Sequence, residues 1–362
     1  MFYKILFPLA EHFQALNLLR YITVRSAGAL LTSLIIAFII IPILIRYLRK
    51  VFYKGQPIRE DGPQQHLVKQ GTPTMGGVAI VFSVISSCLL WGDLDNSYLW
   101  MAMFVTLSYA MLGFADDYLK VSKYNPKGVS GKLKLACQIL IAVIVGVWIQ
   151  NIAPISYYSH ITIPFIKDVL VDLGWFYIPF ITVVIIGSSN AVNLTDGLDG
   201  LAIVPIVIAS ACFALIAYLT GSSKFAYHLQ LQFVEGSAEL AVFCSAMIGA
   251  GLGFLWYNAQ PAEIFMGDVG SLACGGAIGV VSVIIKHELL LAIIGGLFVI
   301  EAISVIIQVY YFKLTKGKRF FKMAPIHHHF EKMGWSESKV VARFWIIAVI
   351  FAIIGLATLK IR

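Results

Sequence analysis

The sequence predicts an all-α, polytopic integral membrane protein with about ten transmembrane helices, and three observations predict it. Of the 362 residues, 59% are hydrophobic and only 13% charged, against roughly 25% charged in an ordinary soluble domain. The apolar residues are gathered into ten blocks. The basic residues fall almost entirely in alternate intervals between those blocks. A soluble enzyme of this length could not cover its surface with so few charges, and disordered, collagen-like and disulfide-scaffold readings fail on the same composition.

The blocks occupy 27–44, 75–90, 99–114, 133–149, 173–186, 201–219, 238–256, 269–285, 289–309 and 345–359. A span needs about 20 largely apolar residues, with about 17 as the lower limit. Most blocks reach that length once neutral flanks are included. Residues 1–26 lack both a continuous apolar core and a small-residue cleavage site, so they read as an interfacial or first-helix lead-in rather than a cleavable signal. The five cysteines, Cys88, Cys137, Cys212, Cys244 and Cys274, each lie in a different block without metal-ligand spacing. They read as small packing residues. Glycine-rich 249–253 and Gly275-Gly276 read as close helix contacts.

Ten spans leave nine intervals. The odd ones (47–74, 115–134, 191–199, 257–267, 313–340) hold 17 Lys and Arg, and the even ones (92–97, 151–172, 221–237, 286–287) hold 3. The positive-inside rule therefore places the odd intervals in the cytoplasm and both termini on the periplasmic side. The whole chain, 1–362, reads as one integral membrane domain with the five odd intervals as its working surface. The net charge of +8 is then largely a topology signal, with attraction of anionic substrates or lipid headgroups as a second use. Nucleic-acid binding is a poor reading.

The polar residues that solvation does not explain collect in the same odd intervals. A transporter places its key polar groups near the bilayer midplane. Here they sit at helix ends, which suggests an enzyme working at the membrane surface. Adjacent Asp116 and Asp117 follow an apolar block directly. Two such carboxylates raise each other's pKa unless a cation or donors compensate. They read either as a solvated helix end or as part of a magnesium and phosphate site. The lysines beyond them (Lys120, Lys123, Lys127 and Lys132) favour the second, since Mg²⁺ takes one or two carboxylates together with phosphate oxygens and water.

Asn190, Asn193, Asp196 and Asp199 recur at every third position. They would eclipse in a 3₁₀ turn and spread over half the circumference of an α-helix. Gly197 and Gly200 allow close backbone approach to a ligand, whereas a capped turn accounts for one such polar residue and hardly four. Asp268, in Gly267-Asp268-Val269-Gly270-Ser271, is either an N-cap or a metal ligand beside an anion site at a helix start. His327, His328 and His329 point in successive directions and cannot readily share one metal. They read as phosphate donors, aided by the basic stretch 316–322, or as structural groups. Glu301 lies inside the ninth span, seven residues before Gln308. An intramembrane carboxylate is a functional candidate. Here it reads as a structural hydrogen bond to a neighbouring helix, away from the polar cluster, with a proton path as the rival.

Taken in order between these spans, Gly71-Thr72-Pro73-Thr74-Met75-Gly76-Gly77, the segment 190–200 and the segment 324–329 resemble the phospho-N-acetylmuramoyl-pentapeptide-transferases of bacterial cell-wall synthesis. The resemblance covers essentially the whole chain. Transferases that use UDP-N-acetylglucosamine share the aspartate loops but differ at the histidine run, and are the alternative. A proton-coupled nucleotide-sugar carrier is a more distant one.

The resemblance implies transfer of phospho-MurNAc-pentapeptide from its UDP carrier to undecaprenyl phosphate with Mg²⁺, giving lipid I and UMP. It further implies a homodimer in the bacterial cytoplasmic membrane with its active site facing the cytoplasm. Asp268 would be the magnesium ligand and Asp116 and Asp117 the acidic pair near the lipid phosphate. Asp199, Asn258 and Phe265 would hold the uracil. Lys69, Thr74, Asn193, Asp196 and His328 would line the sugar and pyrophosphate path, with His328 also among the catalytic groups. Lys120, Lys132, His327 and His329 are further candidate phosphate contacts. The chemistry suits these residue types independently, because breaking a pyrophosphate is mainly a matter of positioning and neutralising oxygens.

Overall fold

The computed structural model of the chain describes residues 2–11, 13–51, 71–122, 128–152, 158–166 and 170–359. Each of the ten apolar blocks is helical. The helices are α1 (Phe2–Leu6), α2 (Ile22–Val51), α3 (Gly77–Trp91), α4 (Ser97–Ser122), α5 (Gly131–Ile152), α6 (Tyr177–Thr195), α7 (Ile203–Thr220), α8 (Ser223–Leu229), α9 (Glu239–Asn258), α10 (Gly267–Ile284), α11 (Glu288–Ile294), α12 (Gly296–Leu314), α13 (Ile326–Lys332) and α14 (Glu337–Thr358). Among the described residues, nine helices are long and apolar enough to cross a membrane. The second block, 75–90, forms α3, which has only 15 residues. At 1.5 Å per residue such a helix covers about 22 Å, short of the roughly 30 Å hydrocarbon core. The all-α, multi-pass architecture is therefore as expected, with one short member.

The sequence of α10 explains why it sits in the middle. Its run Gly270-Ser271-Leu272-Ala273-Cys274-Gly275-Gly276-Ala277 offers little side-chain bulk, and nearly all of the helix is buried. A Cβ on Gly275 would stand 2.7 Å from the Ser188 carbonyl of α6, and one on Gly276 would stand 2.5 Å from the Tyr109 ring of α4. Small residues thus let α4 and α6 approach α10 at backbone distance. On the other side of the bundle Gly249 and Gly253 do the same for α9 against α2. All five cysteines are free, and four are buried among these contacts.

The chain reverses direction between consecutive long helices. The C-terminal ends of α4, α6 and α9 therefore meet the N-terminal ends of α5, α10 and α14 at one end of the bundle, as their side-chain and backbone contacts show. The opposite end holds a short antiparallel ribbon absent from the all-helical expectation. It pairs β1 (His160–Thr162) with β2 (Leu170–Asp172). The ninth block is broken at Gly295 into α11 and α12. Beyond Ser304 no residue of α12 is buried.

Candidate active site

Asp116 and Asp117 lie in the last turns of α4, within the helix rather than in the interval after it, and both are fully buried. Consecutive helical side chains diverge by about 100°, so the two carboxylates face different partners. Asp116 turns toward α5. Its Oδ2 lies 2.5 Å from Lys120 Nζ, one helical turn on, and 3.1 Å from Lys134 Nζ. Its Oδ1 accepts the Val129 N–H at 2.7 Å. Asp117 turns toward the start of α10, where its Oδ2 accepts the Val269 N–H at 3.1 Å.

Asp268, in the first turn of α10, completes the group. Asp268 Oδ2 accepts from Lys134 Nζ at 2.8 Å and Lys120 Nζ at 3.1 Å, and Asn193 Nδ2 donates to Oδ1 at 2.8 Å. Asn193 also reaches Ser271 Oγ at 2.8 Å. Gly267 is the hinge of this arrangement. It takes φ +73°, and a Cβ there would collide with Asp117 Oδ2 and stand 2.9 Å from Thr74 Oγ1. Both the left-handed backbone and the missing space demand glycine.

One oxygen each from Asp116, Asp117 and Asp268 lie within 4.8 Å of one another. Two ligands of one Mg²⁺ at about 2.1 Å stand about 3 Å apart in cis and about 4 Å in trans, with some positions normally left to water. The donor set fits that ion if one carboxylate binds through water. Lys120 and Lys134 pair with Asp116 and Asp268, which leaves Asp117 without an ion-pair partner among the described residues. Thr74 Oγ1, buried beside Gly267, has no hydrogen-bond partner among the described residues.

The second wall is the turn that follows α6. Asn190 and Asn193 belong to the helix, so the three-residue rhythm is split between a helix end and the turn holding Asp196 and Asp199. Burial, then the charges of Asp268, Asp117 and Asp199, push the Asp196 carboxyl up to about 8. This turn is tied at several points. Asp199 N donates to Glu337 Oε1 at 2.9 Å and Asp199 Oδ2 accepts from Ala262 N at 3.0 Å. Gly200 N donates to Asn258 Oδ1 at 3.0 Å, while Asn258 Nδ2 donates to the Ile264 carbonyl at 2.8 Å. Leu198 and Leu201 anchor it in a separate apolar cluster with Leu297, Val340 and Phe344.

The third wall joins residues far apart in sequence. Phe265 N donates to the Pro73 carbonyl, and Gly76 N and Gly77 N donate to the carbonyls of Phe265 and Met266, all at 2.8–2.9 Å. Half-buried Phe265 is thus fixed by the Pro73–Gly77 backbone. The three histidines diverge as expected. His327 Nδ1 lies 3.1 Å from Glu301 Oε1, His328 Nδ1 lies 2.7 Å from Glu331 Oε2, and His329 Nδ1 accepts the Lys322 N–H at 3.1 Å.

Several expectations change here. Glu301 was expected away from the polar cluster, but its carboxylate meets His327 of the histidine run, in the first turn of α13. Lys132 is exposed, and Lys134 occupies the position between the carboxylates that the sequence reading left unfilled. The signal was available, since Lys134 shares a helical face with buried Gln138, whose Oε1 accepts from Asn190 at 3.0 Å. Both polar groups of the Asn258 amide are spent on backbone. Lys69, Lys123 and Lys127 lie outside the described residues.

The profile of a family described as glycosyl transferase family 4 matches residues 99–286, which include Asp116, Asp117, Asn193, Asp196 and Asp268. Residues 69–81 match signature 1 of the phospho-N-acetylmuramoyl-pentapeptide-transferases. A relative of that description from Granulibacter bethesdensis (strain ATCC BAA-1260 / CGDNIH1) is 58% identical over 363 residues, covering the full length of both chains. The chain belongs to the phospho-N-acetylmuramoyl-pentapeptide-transferase family. The family signature ends inside α3 and contains the Pro73–Gly77 segment that locks Phe265 in place. What marks these transferases in sequence is, in this chain, a strap across the start of α10.

Proposed function

We propose that this chain is a phosphotransferase that moves phospho-N-acetylmuramoyl-pentapeptide from UDP to undecaprenyl phosphate, releasing lipid I and UMP. The observation that carries the reading is the cluster of Asp116, Asp117 and Asp268 with Lys120 and Lys134, at the end of a helix bundle 58% identical to a full-length member of the family. A substrate with a long isoprenoid tail stays in the bilayer, and the cluster lies where helix ends meet the surface. The bias of basic residues supports a cytoplasmic orientation in the inner membrane. A homodimer is carried forward from the family resemblance, and cross-linking in native membranes tests it.

The attacking group in this reading is an oxygen of the lipid phosphate. With a second pKa of about 6 it is mostly dianionic at neutral pH and needs no carboxylate to replace it as nucleophile. Its oxygen bonds to the phosphorus that carries the sugar, the bridge to the uridine-side phosphate breaks, and that bridging oxygen leaves with UMP. Asp116 orients the attacking phosphate or takes its remaining proton, and Asp117 holds the start of α10 in register. Asp268, with Asp117 beside it, would hold Mg²⁺, whose chemistry is to neutralise the pyrophosphate oxygens as the bridge breaks. Lys120 and Lys134 add positive charge on the same oxygens. Phe265 stacks on the uracil. Asp199 and Asn258 shape that pocket by fixing the 258–264 loop, and Lys69, Thr74, Asn193, Asp196 and His328 line the path between.

The test is UMP release by purified protein in detergent with Mg²⁺, undecaprenyl phosphate and either UDP-MurNAc-pentapeptide or UDP-N-acetylglucosamine. Release with the first donor only is expected. Release with the second would assign the related sugar-phosphate transfer, and activity confined to sealed vesicles would assign a carrier.

A further inference from the structure

Glu301 Oε1 and His327 Nδ1 lie 3.1 Å apart with both side chains completely buried, one on α12 and the other in the first turn of α13. The pair joins the ninth span to the histidine segment. An imidazole that donates from Nδ1 to a carboxylate keeps its ring orientation fixed and, when neutral, leaves Nε2 as an acceptor. Among the described residues, buried His327 Nε2 has no hydrogen-bond partner, and neither has Glu301 Oε2. The ring edge bearing Nε2 faces Gly197, where an added Cβ would collide with that nitrogen. Gly197 sits between Asp196 and Asp199 in the turn that forms the second wall of the site. The His327 ring also packs edge-on against that of His328, with centroids 4.1 Å apart.

We propose that Glu301 is a positioning residue for the transfer reaction. Its carboxylate sets the tautomer and angle of His327, the His327 ring braces Gly197, and the brace fixes Asp196 and Asp199 relative to Asp268. This inference rests on the proposed transferase function. It assigns Glu301 a role through His327 and no contact with substrate. The alternative of a proton path through the ninth span needs the carboxylate's charge, whereas positioning needs only an acceptor at Oε1. An amide supplies the acceptor without the charge.

The experiment compares Glu301→Ala, Glu301→Gln, Gly197→Ala and the Glu301→Ala/Gly197→Ala pair in the UMP-release assay, with thermal unfolding in detergent measured alongside. Loss of a group that orients a functional side chain typically costs about 10- to 100-fold, so Glu301→Ala should lower kcat by that factor while KM for the UDP donor moves little. Glu301→Gln should restore kcat to within about threefold of wild type, and the double variant should be no worse than the poorer single one, as expected for two changes acting on one contact. Equal losses in the Ala and Gln variants would overturn the proposal in favour of the carboxylate's charge. Wild-type kcat per folded molecule in Glu301→Ala would overturn it outright. If Glu301→Ala does not fold, Gly197→Ala carries the test, and a wild-type kcat there contradicts the brace. Wild-type protein inactive with UDP-MurNAc-pentapeptide would instead refute the transferase reading on which the inference stands.

Discussion

At the end of the bundle away from the aspartates, Arg25 meets Glu239 through two hydrogen bonds of 2.5 and 2.7 Å, and the carboxylate also accepts the Asp93 N–H at 3.0 Å. Nearby on the same side, Lys286 Nζ reaches Tyr177 OH at 2.7 Å, and that hydroxyl donates to Glu288 at 2.8 Å. Arg25 there has its anion, and Lys286 is linked to Glu288 through the Tyr177 hydroxyl. At the other end Asp116 and Asp268 share Lys120 and Lys134, and Asp117, fully buried beside them, has no ion-pair partner among the described residues. Buried charge is costly unless paired. The matched end is what a structural clamp requires, and the unmatched end is what a cation-dependent site requires.

The largest effect is expected at Asp268. Asp268→Asn should lower turnover by about a thousandfold or more, roughly 4 kcal/mol of barrier, because it would remove the carboxylate proposed to hold the neutralising ion. Its unfolding temperature in detergent should stay near wild type. Near-normal turnover with unchanged Mg²⁺ dependence would remove Asp268 from the site. The mirror-image change is Arg25→Ala, which leaves Glu239 buried and unpaired and should cost about 3 kcal/mol or more of stability. Activity per folded molecule should hold, and Arg25→Met with Glu239→Leu should recover most of the lost stability. A parallel fall in turnover would mean the two ends are coupled.

A smaller effect is expected at the pocket wall. Phe265→Ala should weaken UMP binding by about 1–3 kcal/mol, the usual worth of an aromatic ring stacked on a base, measured by calorimetry with Mg²⁺ present. Unchanged affinity would place the uracil elsewhere.

The smallest expected effect concerns pH. With Asp196 held up to about 8, the folded chain keeps a proton that the unfolded chain gives up near 4. Stability from this group is therefore present at acid pH and is lost as pH rises from about 4 through about 8. In chelator, Asp196→Asn should flatten that decline in unfolding temperature. An identical pH profile in wild type and variant would contradict it.

The spans were legible because apolar length is a direct requirement of the bilayer, and the aspartates because charge at a span boundary stands out against 13% overall. What stayed hidden was phase and tilt. Lys132 and Lys134 are equivalent by composition, yet only Lys134 lies on the face of α5 that meets α4 and α10. Glu301 seemed remote because a straight ninth span would carry it into mid-bilayer. The break at Gly295 that separates α11 from α12 is one glycine among 30. The roles of Glu337, which holds Asp199 N, and of Asn258, which holds Gly200 N, come from contacts 138 and 58 residues apart in sequence. The ribbon at 160–172 escaped notice because its strands have three residues each.

The central claim is that the unbalanced carboxylates hold one divalent cation. Titration of the purified chain with Mn²⁺, followed by electron paramagnetic resonance with UMP present, tests it most directly. One bound ion per chain is expected in wild type and in the Arg25→Met/Glu239→Leu variant, and none in Asp268→Asn. Equal binding by Asp268→Asn and wild type, or no bound ion in wild type, would contradict the account.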